Sequence, residues 1–113
     1  NKKRLAATIF GETGRFNTEK QARDILSVIL NRADEDKTDL ISVIKQPQQF
    51  QAFGGKEFQK YFTQTDEPTK RKSQIIDKVI NELQEGKFQR TTNSNSFIHR
   101  SGRLKLSKVF RGY

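Results

Sequence analysis

The chain of 113 residues has no cysteine, tryptophan or methionine, only two prolines and a single histidine, His99. The absence of cysteine excludes disulfides, thiolate nucleophiles and cysteine-ligated metal sites, although it is compatible with any compartment. A lone histidine is a poor basis for a zinc site, because zinc normally takes three or four protein ligands. We therefore expect neither a metal nor another cofactor.

Long apolar runs are also missing from the chain. No stretch is long enough to span a bilayer or to form the apolar centre of a signal peptide. Apolar residues make up only 32% of the chain and charged residues 31%. The apolar residues nevertheless recur at regular spacing, which favours one folded domain over disorder. Because position 1 is asparagine rather than methionine, we expect a mature form or a domain cut from a longer chain.

Acidic residues are outnumbered, so that the formal net charge is +9 and the pI is about 10.0. Such a surface favours polyanionic partners, among them nucleic acid, an anionic membrane and an acidic polymer. Groups of basic residues lie at 2–4, 70–72 and 100–108 and follow no single helix face. Charge alone therefore does not choose among these partners.

Helical spacing dominates the first part of the chain. Residues 2–12 predict a first helix. Thr18 opens a second helix, in which Thr18 and Gln21 form a capping box. Apolar residues then recur at helical spacing as far as Ala33, which predicts that this amphipathic helix lies at the centre of the fold. Residues 34–37 predict an acidic turn after it.

Three further helical segments are predicted. Thr38 is positioned to cap a short helix that runs through Ile44. Residues 56–62 predict a helical turn. Asp66 caps a last long helix, with a proline in its first turn, and Gly86 ends that helix.

The remaining residues predict a different kind of structure. The segment "TTNSNS" (residues 91–96) is polar and turn-prone. "SFIHR" and "RLKL" predict two short strands joined at Ser101-Gly102, a hairpin in which Phe97 and His99 share one face. The predicted fold class is therefore mainly α (α+β), a helical domain with a small C-terminal β-hairpin.

Glu12 occupies an unusual position in the first helix. Leu5, Ile9 and Glu12 are spaced i, i+4 and i+7, so the carboxylate is expected on the face that turns to the core. A carboxyl group beside apolar side chains is desolvated, which raises its pKa and suits it to act as a general acid. The alternative is a helix-end glutamate that bonds nearby backbone N–H groups or points to solvent.

Three segments in a fixed order carry a family resemblance. They are "GETGR" (residues 11–15), "SVILNR" (residues 27–32) and "QPQQF" (residues 46–50). Together they resemble the catalytic domain of the SleB/CwlJ-type cell-wall hydrolases, known from spore-cortex-lytic enzymes, and the resemblance covers most of residues 5–113. The family's second "GE" is replaced by "RFN" at residues 15–17.

The resemblance implies a lysozyme-like domain, residues 1–113, that cuts peptidoglycan glycan strands between N-acetylmuramic acid and N-acetylglucosamine. The family's catalytic glutamate corresponds to Glu12. A lytic transglycosylase needs only this one carboxyl group, whereas a muramidase that hydrolyses the same bond usually needs a second. Asp24 and the acidic residues 34–36 are the other carboxylates considered for that role, but we expect Asp24 on the polar side of its helix and the others in solvent.

Two residues of the loop after the short helix are candidates for substrate binding. Gln49 and Phe50 provide an amide and a ring that could bond and stack a sugar in an open groove. The alternative is that Phe50 and Phe53 plug the core beneath the loop. The polar pair Asn31 and Arg32 is expected to bond the next loop rather than substrate.

The resemblance also implies that the C-terminal region shapes the groove, which makes Ser96 and Tyr113 candidates for substrate binding. The implied partner is peptidoglycan glycan strands, met by a monomer without a membrane span. The implied location is extracytoplasmic, in the wall or periplasm, including as part of a phage particle or a secreted protein. Two readings without activity stay open, a basic nucleic-acid-binding module and a wall-binding domain.

Overall fold

The computed structural model describes residues 2–14, 16–46, 50, 53–100 and 103–111. Within these ranges it contains five helices followed by one two-stranded antiparallel hairpin. The protein is therefore mainly α with a small β element, as the sequence predicts. None of the helices in the described ranges is long and apolar enough to cross a bilayer. The elements are α1 (Lys2–Glu12), α2 (Thr18–Asp36), α3 (Leu40–Ile44), α4 (Lys56–Thr63), α5 (Glu67–Gln84), β1 (Ser96–Arg100) and β2 (Arg103–Ser107).

The core is built around α1 and α2. Ile25, Leu26 and Ile29 of α2 are fully buried, which confirms that the clearest amphipathic helix of the sequence lies at the centre. Ile9 and Phe10 of α1 are buried as well, and α1 packs chiefly against α4 and α5. Burying these large side chains removes apolar surface from water, which is the main favourable contribution to folding.

The start of α2 differs from the predicted capping box. The N-cap is Asn17, which has a left-handed backbone (φ 54°) and makes no side-chain cap hydrogen bond. The Gln21 amide accepts from the Gly14 N–H at 2.8 Å and donates to the Phe16 carbonyl at 2.7 Å. The capping box is wrong because Gln21 reaches past Thr18 into the preceding loop, whose backbone offers it both a donor and an acceptor.

The end of α2 and the start of α3 also differ from prediction. The predicted acidic turn is the last turn of α2, which continues to Asp36 and ends at Lys37 in the left-handed conformation. The N-cap of α3 is Asp39, not Thr38, because the Asp39 carboxylate accepts from the Ser42 N–H at 2.7 Å. A carboxylate is a strong N-cap acceptor and also interacts favourably with the helix dipole.

The later elements follow the prediction closely. The predicted helical turn at 56–62 is a two-turn helix, α4. Asp66 caps α5 by accepting from the Thr69 N–H at 2.8 Å. Gly86 follows the end of α5 with φ 73°, a conformation that glycine adopts without the steric cost of a side chain.

The hairpin has the predicted register. Phe97 pairs with Leu106 and Arg100 pairs with Arg103, so Ser101-Gly102 connects the strands. The predicted turn itself lies outside the described residues. Phe97 is buried, and the His99 ring lies 5.8 Å from the Phe97 ring, which confirms that the two residues share a face.

Arg23 joins α2 to α5 and gives the fold a predictable response to acid. Its guanidinium donates to both carboxylate oxygens of Glu82, at 2.8 and 2.7 Å, and to Glu19 at 3.1 Å. These hydrogen bonds hold the pKa of both carboxyl groups below the ordinary value of 4.5. Their contribution to stability is therefore present above pH 4.5 and is lost as the pH falls through the lower pKa values of the folded state.

We expect Arg23→Gln to make the free energy of unfolding depend less steeply on pH in the acidic range. The two carboxyl groups then titrate closer to their unfolded values, so less stability is lost on acidification. Urea unfolding at a series of acidic pH values measures this slope. Arg71→Gln, at an exposed position of α5, is the matched charge control and should retain the wild-type slope. Equal slopes for Arg23→Gln and wild type would contradict the assignment.

Candidate active site

Glu12 is the last residue of α1 and is half-buried. Leu5 and Ile9, at the earlier positions of the i, i+4, i+7 series, are both buried. The Glu12 carboxylate thus lies at the edge of the core, neither sealed inside it nor fully in solvent. That position is compatible with a carboxyl group that meets a ligand at the surface.

The loop after Glu12 is fixed to the first turn of α2. The Thr13 hydroxyl donates to the Ile9 carbonyl and is buried, which closes the end of α1. Gln21 holds the loop from the other side through Gly14 and Phe16. A Cβ at Gly14 would lie in van der Waals contact with the Gln21 amide, 3.4 Å away, so the loop backbone passes close to that side chain. These hydrogen bonds of Thr13 and Gln21 fix where α1 ends, and hence where Glu12 lies.

The polar end of α2 bonds the segment that leads into β1. The Asn31 amide donates to the carbonyls of Thr92 and Ser94, at 3.0 and 2.7 Å. Arg32 donates to the Asn95 carbonyl at 2.6 Å and to the Gln46 side chain in the loop after α3. The "LNR" motif therefore holds the hairpin and the adjacent loop in place, which is the structural role expected from the sequence, extended to a second segment.

Phe50 lies in the core rather than in a groove. It is only 3% exposed, and its ring packs edge-to-face on Phe97 with the ring centroids 5.6 Å apart. The Arg32 guanidinium lies 6.0 Å from the centre of the same ring. A ring covered in this way has no free face for a sugar. The structure therefore favours the alternative, in which Phe50 plugs the core, and the half-buried Phe53 packs against the core with its ring on Phe58.

The remaining candidates for substrate binding are placed only in part. Ser96 is half-buried at the start of β1 and pairs with Ser107. Gln49 and Tyr113 lie outside the described residues. The main neighbours of α1 are the other four helices, whereas β1 packs on α2. Glu12 and Ser96 thus belong to elements that both contact α2.

Asp24 is buried, contrary to the prediction that it lies on the polar side of α2. It is 5% exposed, accepts from the Thr91 hydroxyl at 2.6 Å and pairs with Lys20 at 2.9 Å. The neighbouring Ser27 hydroxyl accepts from the Thr91 N–H at 2.9 Å. The prediction fails because the segment around Thr91, which is distant in sequence, covers this face of α2. Asp24 therefore holds that segment and is not a free second carboxylate.

Of the acidic residues at the end of α2, Asp34 and Glu35 are exposed, as predicted, whereas Asp36 is half-buried, and all three make contacts. Asp34 pairs with Arg90 at 2.7 Å. Asp36 accepts from Arg111 at 2.9 Å and from the Gln46 amide at 2.8 Å. These contacts fasten the segments before and after the hairpin to the helical body.

Asn95 is the residue of this region that sequence reasoning missed. It is 1% exposed, and its amide donates to both carboxylate oxygens of Glu35, at 2.9 and 3.1 Å, and to the Val109 carbonyl at 2.9 Å. Its side-chain oxygen accepts from the Val109 N–H at 2.8 Å. Asn95 stands in a polar run of turn-forming residues, so no local signal distinguishes it from its neighbours.

Among the surface depressions in the described part of the chain are two open ones, and Glu12 lines neither of them. Within the same residues, no three side chains of histidine, aspartate or glutamate are grouped as metal ligands. No protein-family model, curated protein or solved structure gives a significant match to the chain. A functional assignment therefore depends on the chain's own residues. One depression follows α5 (Gln74, Asp77, Lys78, Asn81, Glu82, Glu85), and the other lies between α2 and Thr91 (Glu19, Lys20, Arg23, Asp24, Thr91).

Proposed function

We propose that this protein cleaves peptidoglycan glycan strands between N-acetylmuramic acid and N-acetylglucosamine, as a lytic transglycosylase with Glu12 as its catalytic residue. The observation that carries the proposal is the position of Glu12. It is a half-buried carboxylate at the end of a buried helix, followed by a loop that the Gln21 side chain holds in place. The resemblance of residues 11–15, 27–32 and 46–50 to SleB/CwlJ-type hydrolases supports it.

One carboxyl group is enough for this reaction. Protonated Glu12 donates its proton to the oxygen that links the two sugars, and the bond between that oxygen and muramic C1 breaks. The Glu12 carboxylate then takes the proton of the muramic C6 hydroxyl while the oxygen of that hydroxyl bonds to C1. The products are a 1,6-anhydromuramic end and a free N-acetylglucosamine hydroxyl, and no water is consumed.

The surroundings of two other carboxylates, Asp24 and Glu35, count against their use in hydrolysis. A muramidase usually needs a second carboxyl group across the scissile bond. Asp24 is already engaged by Thr91 and Lys20, and Glu35 by Asn95 and Arg111. Both groups act as structural acceptors, so neither is a ready second carboxyl group for hydrolysis.

The proposed substrate also sets the proposed location. Peptidoglycan lies outside the cytoplasm, so we propose that the protein acts in the wall or periplasm, including as part of a phage particle or a secreted protein. We propose that it acts as a monomer, with Glu12 and Ser96 supplied by one chain.

Mass spectrometry of the sugars released from purified peptidoglycan tests the proposal. We expect 1,6-anhydromuramic ends from the wild-type protein. Reducing muramic ends would instead indicate a muramidase with a second carboxyl group. If no sugars are released by a folded protein, the proposed activity is wrong and the binding-module alternatives gain support.

A further inference from the structure

Positive charge is concentrated in one part of the chain. Residues 86–113 contain seven lysines and arginines and no aspartate or glutamate, so this segment supplies most of the net charge of +9. The helical body that precedes it is close to neutral. The segment that includes the hairpin is therefore the basic part of the molecule.

The hairpin register separates this segment into two faces. Phe97, Leu104 and Leu106 lie on the inner face, where they are buried or pack against the core. The alternate positions of both strands form the outer face, which is exposed to solvent. Three of its residues are cations, and two of these, Arg100 and Arg103, are directly opposite each other. The outer-face residues in question are Ile98, Arg100, Arg103 and Lys105.

These cations differ from the other basic residues of the segment. Arg90 and Arg111 are neutralised by acidic residues at the end of α2. Among the described residues, no carboxylate lies within ion-pair distance of the three outer-face cations or of Lys108. Like charges directly opposite each other in a hairpin are destabilising. A negatively charged partner would relieve that repulsion.

The same segment exposes large apolar side chains. Five large apolar residues are exposed in the described ranges, and three of them are Ile98, Val109 and Phe110, with 54%, 42% and 88% of their surface accessible. Cations alone would suit any polyanion. A soluble polyanion offers nothing to the aliphatic Ile98 and Val109, whereas these two residues and Phe110 all gain from the apolar layer just below lipid headgroups. An anionic bilayer offers both interactions at once.

We propose that the outer face of the hairpin, together with residues 108–110, binds the surface of an anionic phospholipid bilayer. We name this region the hairpin surface. Its cations contact the lipid phosphates, and Ile98 and Phe110 enter the headgroup boundary. Such binding requires neither the proposed enzymatic activity nor a membrane-spanning segment.

Co-sedimentation with vesicles tests the electrostatic part. The wild-type protein should bind vesicles made of equal parts phosphatidylglycerol and phosphatidylcholine, and should not bind pure phosphatidylcholine. Each lysine or arginine near an anionic surface contributes a factor of about five, so Arg103→Gln/Lys105→Gln should weaken binding roughly 30-fold. Lys56→Gln/Arg71→Gln removes the same charge from exposed positions on α4 and α5 and should have little effect. Equal losses in both double variants, or no binding by wild type, would overturn the proposal.

Fluorescence tests the apolar part and separates lipid from soluble polyanions. Because the chain has no tryptophan, Phe110→Trp introduces a single indole at the most exposed aromatic position of the surface. We expect its emission to shift to shorter wavelength with the anionic vesicles and to stay unchanged with heparin or single-stranded DNA. Ile98→Thr/Phe110→Ser should lose vesicle binding although every cation is kept. Unshifted emission, with equal binding of vesicles and DNA, would identify a general polyanion surface instead.

Discussion

Glu12→Gln should lower the rate of glycan-strand cleavage about 10²- to 10⁴-fold, the range that a general acid and base typically contributes. Glutamine has nearly the same shape as glutamic acid, but its amide cannot give a proton to the linking oxygen or take one from the C6 hydroxyl. Because Glu12 lies at the end of α1 and is only half-buried, the substitution should leave the fold intact. Catalytic groups are often costly to stability, so the free energy of unfolding should be equal or slightly higher.

The controls separate catalysis from folding. Glu85→Gln makes the same chemical change at an exposed position after α5 and should retain wild-type activity. Glu12→Asp keeps the carboxyl group but withdraws it by one methylene, so its activity should fall between wild type and Glu12→Gln. Release of 1,6-anhydromuramic sugars gives the rate, and circular dichroism with urea unfolding reports the fold. A Glu12→Gln protein that is as active as wild type would exclude Glu12 as the catalytic residue. A variant that is both inactive and unfolded would point to a structural role instead.

The elements that the sequence predicts best are those whose signals are local. The limits of α1 follow from apolar spacing, and those of α5 from an N-cap at Asp66 and a glycine stop at Gly86. The register of the hairpin follows from two-residue alternation on either side of a short turn. In each case the deciding interaction joins residues that are close in the sequence.

Local signals fail where neighbouring polar residues compete for one role. Thr18 and Thr38 are both of a residue type that is favoured at the N-cap, but Asn17 and Asp39 are the N-caps of α2 and α3. Asn17 adopts the left-handed conformation that asparagine tolerates better than most residues. Asp39 offers a charged acceptor, which a threonine hydroxyl does not match. The residue preferences for the N-cap therefore identify the right turn, but they select the residue next to the actual N-cap.

The candidate site is predictable to the same extent. The position of Glu12 follows from spacing within one helix, and the structure places it at the edge of the core. The burial of Asp24 does not follow from α2 alone, because its partner Thr91 is 67 residues away. Phe50 is covered by Phe97, also from a distant segment. The spacing of apolar residues within one helix or strand does not indicate which distant segment packs on it. The burial of Asp24 and Phe50 could therefore be assigned only from the three-dimensional fold.

The largest change in stability is expected for Asn95→Asp, which should lower the free energy of unfolding by about 3–5 kcal/mol at neutral pH. Asn95 is only 1% exposed, and its amide nitrogen lies 2.9 and 3.1 Å from the two carboxylate oxygens of Glu35, whose side chain is 30% exposed. The substitution removes these donors and sets a second carboxylate against the first. It also removes the donor to the Val109 carbonyl, so the segment after β2 loses one of its two bonds to this side chain.

The pH dependence of this loss identifies its cause. Burial and the facing Glu35 carboxylate raise the pKa of the introduced carboxyl group above its unfolded value of about 3.9. The deficit relative to wild type should therefore be smallest at acidic pH and should grow as the pH rises through the raised pKa.

Two further variants separate charge repulsion from the loss of hydrogen bonds. Asn95→Ala removes the same bonds without adding charge, so it should cost about 1–3 kcal/mol with little dependence on pH. Asn93→Asp makes the same chemical change at an exposed position two residues earlier and should be nearly neutral. Urea unfolding at neutral and acidic pH measures all three variants. If Asn95→Asp were no less stable than Asn95→Ala at neutral pH, Glu35 would not face this side chain, and the other contacts of α2 would hold the hairpin without it.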